Sequence, residues 1–67
     1  MKTVDSFPSH NIFGTFKTFG AAGPAYQVIR PVRQLDDGDW LVLVRIFETG
    51  EEAEYRYTHL LEDPKAA

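Results

Sequence analysis

Cysteine is missing from this 67-residue sequence altogether. Its absence excludes a disulfide staple, a thiol nucleophile and the usual structural zinc site, the common supports of a very small scaffold. Long apolar runs are lacking too: none approaches the roughly 20 residues of a membrane span. Met1 to Pro8 carries no apolar h-region, so no signal peptide is expected and the cytoplasm is the expected location. Acid is missing from Ser6 to Leu35, where Lys17, Arg30 and Arg33 give +3; Asp36 to Ala67 carries nine acids and a balance of -6. Such asymmetry marks a polar partner surface, or strands that place opposite charges side by side. The net charge of -3 opposes unaided binding to phosphate backbones.

What is present is an ordinary globular composition, 43% hydrophobic and 25% charged, with 13% aromatic residues. One domain is expected. A chain this short buries only about 60% of its unfolded surface, so its core is thin. Large aromatic side chains suit that constraint.

The clearest element is Trp40-Leu41-Val42-Leu43-Val44-Arg45-Ile46-Phe47, a β-branched and aromatic run too short for a helix. Trp40, Val42, Val44 and Ile46 share one face; Leu41, Leu43, Arg45 and Phe47 share the other. Both faces are largely apolar, which predicts a central strand covered on both sides for part of its length. After the Glu48–Glu51 turn, Glu52 to Thr58 alternates, with Ala53, Tyr55 and Tyr57 on one side. An even loop pairs Ile46 with Ala53, Val44 with Tyr55 and Val42 with Tyr57, and sets Arg45 opposite Glu54. A three-residue loop with a bulge at Gly50 would put Val44 against Glu54 and mix the faces, so the even loop is expected.

Upstream, Asn11–Thr18 and Ala25–Arg30 read as two more strands, with Gly20, Gly23 and Pro24 between them. Pro31 predicts a strand end, a bulge or an edge. Asp36-Asp37-Gly38-Asp39 is a turn signal, and His59–Asp63 fits one helical turn with Thr58 as its cap. The fold class is therefore mainly all-β: a small antiparallel meander of four to five strands, as an SH3-like barrel or a strongly bent sheet, with one short C-terminal helical turn. The expected division is a flexible arm over 1–9, one β domain over 10–63 and a frayed tail over 64–67.

Chemistry is sparse. His10 and His59 lack helical spacing and cysteine partners, which argues against a metal site. Placing Gly38 at position six of an EF-hand loop puts Arg33 at position one and Val44 at position twelve, so that pattern fails. Ser6 and Ser9 lack a nucleophile elbow, and Gly14, Gly20 and Gly23 form no phosphate loop. The carboxylates Glu48 to Glu54 lie at a hairpin tip, without the desolvated pocket that raises an acid's pKa. Phe13, Phe16 and Phe19, interleaved with cations, fit base stacking, and equally the core of a small β fold. Phe19 to Tyr26 reads either as a partner-binding loop or as a turn between strands.

Phe19-Gly20-x-x-Gly23-Pro24-x-Tyr26-x-Val28, Asp37-Gly38-Asp39-Trp40, Glu48-Thr49-Gly50-Glu51-Glu52-x-Glu54-Tyr55 and Asp63-Pro64 resemble a family of short bacterial proteins known only as a domain of unknown function. The resemblance covers about residues 13 to 64 and implies a proteobacterial source. It supplies no catalytic or binding residues. The expected pattern of strands also resembles SH3-like domains, without their Ala-Leu-Tyr-Asp-Tyr signature. The reading that results is a non-enzymatic interaction module acting through a strand edge or an aromatic patch, with no cofactor, metal or catalytic residue and no membrane. Its partner is another protein or a second copy of the chain. The alternative is a nucleic-acid or ribonucleoprotein accessory. The candidate surface for either is Phe16, Lys17, Tyr26, Arg30 and Arg33, with Lys17, Arg30 and Arg33 as phosphate contacts.

Overall fold

The computed structural model describes residues 7–66. The first six residues of the expected arm lie outside that range. Four strands, β1 (Phe16–Thr18), β2 (Ala25–Gln34), β3 (Trp40–Ile46) and β4 (Glu52–Arg56), form one antiparallel sheet in the order β1-β2-β3-β4. A short helix, α1 (Tyr57–Glu62), follows. The meander is the form taken. The sheet is not a closed barrel, because β1 and β4 remain opposite edges.

Alternation along β3 decides where the core lies. Trp40, Val42 and Val44 are buried, as are Tyr26 and Val28 on β2, Phe7 from the N-terminal segment and Leu60 from α1. Each such burial contributes about 1.5–3 kcal/mol. Phe7 is 4% exposed and meets the Trp40 ring edge-on at 5.2 Å, so the end of the expected loose arm is part of the core. The inner face is thus sealed by Phe7, by the 3₁₀ turn His10–Ile12 and by α1. The outer face carries no covering element among the described residues.

Several local expectations change. The upstream strand does not begin at Asn11: residues 10–12 form a 3₁₀ turn, and Ile12 and Phe13 turn into the core instead of alternating. The β3–β4 register differs by two residues, with Val44 opposite Ala53, Val42 opposite Tyr55 and Arg45 opposite Glu52. The loop is even, residues 47–50, but it closes earlier. Gly50 takes φ +75°, a left-handed conformation open to glycine, and donates to the Ile46 carbonyl, while the Ile46 N–H donates to Glu51. A two-residue shift keeps every side chain on its expected face.

β2 runs four residues past its expected end at Arg30 because two bulges absorb the irregularity, between Val28 and Arg30 and between Pro31 and Arg33. Pro31 lies opposite Val42, in a pair whose backbone groups point away from β3, so its missing N–H leaves no ladder bond unmade. Thr58 does not cap α1. Asp39, from the turn before β3, accepts the Thr58 N–H at 3.3 Å and the Thr58 hydroxyl at 2.8 Å. The expected frayed tail lies along β1: the Thr18 N–H donates to Pro64, and the Ala66 N–H to Phe16, each at 3.0 Å. That covers the β1 edge, and bulges with Pro31 blunt the free half of β2.

Candidate functional site

Strand alternation divides the candidate set. Phe16 pairs with Gln27 and Lys17 with Tyr26, so Phe16 and Lys17 point to opposite faces. Tyr26 is fully buried and cannot stack on a base; this corrects its expected role. Lys17 is on the same inner side, and its ammonium donates to the Leu60 carbonyl at the end of α1. It therefore ties helix to sheet instead of reaching for phosphate.

Arg30 and Arg33 lie on the outer face, opposite Leu43 and Leu41. Unbroken alternation would have set Arg30 on the same side as Tyr26 and Val28. The extra residue Ile29 reverses that, and Val32 does the same before Arg33. Both arginines are exposed, and neither makes a salt bridge among the described residues. Leu41, Leu43, Ile29 and Val32 are each half-buried. Across β3 from Arg30 is Glu54, opposite Leu43 and exposed. The face thus runs basic, apolar, acidic from β2 through β3 to β4. Leu41, Leu43 and Glu54 share this face without being among the residues expected from sequence. Their signal is the second apolar face of the Trp40 run, which by itself predicts cover on both sides.

At one end of this face Phe16, 40% exposed, meets Phe47, 69% exposed, edge-on at 5.9 Å. With Ala25 and Ala66 they line a shallow groove of about 330 Å³. At the opposite end of the sheet is a wider, open concavity of about 650 Å³, walled by Trp40, Tyr57, Asp37, Asp39 and Arg56. Its charges are spent on one another: Arg56 bridges Asp37 at 2.9 Å and Asp39 at 3.2 Å. Hydrogen bonds from Arg56 hold the Asp37 carboxyl below its usual value. Burial alone would raise Asp39, but bonds from Thr58, Trp40 and Arg56 outweigh it and bring the carboxyl down.

The inner side holds one polar cluster. Asp63 accepts the Tyr26 hydroxyl at 2.8 Å, the Tyr55 hydroxyl at 2.9 Å and the Gly20 N–H at 3.0 Å. Burial opposes its charge, yet these bonds and nearby Lys17 keep the carboxyl below its usual value. Burial first, and then Asp63, push Tyr55 up to about 12 and Tyr26 higher still. The Phe19–Tyr26 segment serves this cluster. Phe19 packs on Tyr26 at 4.3 Å, and a Cβ at Gly23 would lie 2.0 Å from the Phe19 carbonyl oxygen, which only glycine avoids. It is a turn holding its aromatics inward. His10 and His59 are both exposed, and no three metal-ligating side chains gather among the described residues.

A model of a family of unknown function, DUF5397, matches residues 3–67. The chain belongs to this family. Within it the chain is similar to an uncharacterised protein of Haemophilus influenzae, a proteobacterium, 45% identical over 53 residues that cover 79% of this chain and 84% of the relative. Family membership therefore agrees with the turn and aromatic motifs and assigns no site. The geometry of the outer face is the better guide.

Proposed function

We propose that this chain is a small, non-enzymatic, cytoplasmic interaction module that binds a protein through the outer face of its sheet. One observation carries the reading: the central strand presents half-buried Leu41 and Leu43 there, beside two arginines with no ion-pair partner among the described residues. An apolar strip rimmed by unspent charge is the usual composition of a protein-binding patch. Catalysis has less support, because Asp37, Asp39 and Arg56 in the concavity of about 650 Å³ are paired with one another. The nucleic-acid reading retains only Phe16, Arg30 and Arg33 on one face. Among the described residues no helix is long and apolar enough to cross a membrane.

A photo-crosslinking residue placed at Leu43 in the native host tests this. A covalent protein adduct from position 43, and none from a probe at exposed Thr49 on the hairpin tip, supports the reading. No protein adduct from position 43, or an RNA adduct alone, overturns it.

A further inference from the structure

We infer that the occupant of the outer face is a second copy of this chain, docked about a two-fold axis running along β3. This rests on the reading of that face as the interaction surface and specifies the partner.

The observation is a row of three residues directly across the sheet. Arg30 lies opposite Leu43, and Leu43 lies opposite Glu54. Read across β2, β3 and β4, the row is cation, aliphatic, anion. A two-fold axis parallel to β3 in the plane between two such faces sets β3 over β3 and exchanges the β2 and β4 sides. Leu43 then meets Leu43 of the second copy. Arg30 meets Glu54 of the second copy, and Glu54 meets its Arg30. Self-complementarity of this kind is what an isologous interface requires.

The neighbouring rows bring arginines together, and in each row the arginine of β3 or β4 is already paired within its own copy. Leu41 lies between Arg33 and Arg56, and Arg56 carries Asp37 and Asp39 with it. The axis sets the Arg33 of one copy over the Arg56 of the other, whose charge is outweighed by its own partners Asp37 and Asp39. Arg45 lies between Gln27 and Glu52 and meets Arg45 of the second copy, each neutralised by its own bridge to Glu52 at 3.0 Å. Packed sheets lie about 10 Å apart, a gap that leucines fill from both sides and that arginine and glutamate side chains span together. Seven residues of β3 and four strands make a face about 20 Å by 15 Å. That footprint, about 300 Å² per copy, is below the roughly 800 Å² per partner of a standard specific interface, so the association is a weak one. The pairing also supplies a second hydrophobic layer to a chain too short for a thick core.

Sedimentation of the purified full chain tests the inference, over about 1–500 µM to cover the range expected for a small interface. The wild type is expected to pass from monomer to dimer. Arg30→Glu and Glu54→Arg each set like charges face to face twice per dimer, and each is expected to weaken dimerisation at least about tenfold. Mixed one to one, the two variants restore complementary pairs at both contacts, and a heterodimer of near wild-type affinity is expected. Circular dichroism confirms that both remain folded. A wild type monomeric throughout, variants that dimerise like the wild type, or a mixture without recovery overturns the second-copy inference. The binding face itself is judged separately, by the crosslink from position 43: an adduct of twice the chain's mass supports both readings, and an adduct with a different protein sustains the face and rejects the second copy.

Discussion

Replacing Asp63 with alanine is expected to destabilise the fold by about 2–4 kcal/mol, because three donors lose their acceptor at once. The Tyr26 hydroxyl is the costliest, since Tyr26 is wholly buried; Tyr55 and the Gly20 N–H, nearer solvent, add smaller amounts. A chain of 67 residues has about 3–10 kcal/mol of total stability, so the variant lies near its unfolding threshold. Adding Tyr26→Phe removes the stranded hydroxyl, and the double variant is expected to be more stable than the sum of the single effects. Urea titration of the four proteins measures this. This cluster and Asp39 set the pH limits. The Asp63 and Asp39 carboxyls lie below their ordinary 3.8 when folded, so their stabilisation is present above about pH 4 and is lost as pH falls through the folded values. Tyr55 and Tyr26 are raised above 10.0, so theirs is present below pH 10 and is lost as pH rises toward about 12 and beyond. Removing Asp63 should therefore weaken both the acid and the alkaline dependence.

Leu60→Ala should cost about 2–5 kcal/mol, the range for emptying a fully buried aliphatic site. Leu60 is the buried residue of a six-residue helix that has no side-chain cap of its own. A helix that short does not persist without its packing. Its loss also releases Lys17 from the Leu60 carbonyl and Asp63 from the tyrosines, and frees the tail from β1. Amide exchange should show this spread: the Thr18 and Ala66 N–H groups lose protection along with α1. Leu61, 55% exposed on the next position, is the control, and its alanine variant should stay within about 0.5 kcal/mol of the wild type.

Which residues share a face was legible from the alternation of Trp40–Phe47 alone, because a strand's side-chain period admits only two arrangements; which face is buried was not, since both are largely apolar. The hairpin loop was readable in parity but not in position: it spans residues 47–50 and not 48–51, and the two-residue shift in register leaves no trace in the hydrophobic pattern. The site was less legible. Phe16 and Lys17 are adjacent on a strand and could have been separated by the same parity rule. Arg30 could not, since it would share the Tyr26 face were it not for a bulge, and no residue type announces a bulge at Ile29 as Pro31 does two positions later. Asp39 and Asp63 read as turn residues. Their work as acceptors for Thr58 and for two tyrosines joins segments up to 37 residues apart in the chain, beyond the reach of local pattern.

The missing cysteine makes the division between sealed and open faces directly measurable. Single variants Val42→Cys, Leu43→Cys and Val44→Cys place the chain's one thiol alternately on the two sides of β3. Thiol labelling at submicromolar protein, where monomer dominates, should be fast at position 43 and limited by global unfolding at positions 42 and 44. Equal rates at all three, or protection at 43 with reaction at 42 and 44, would contradict a sheet closed on one side and open on the other.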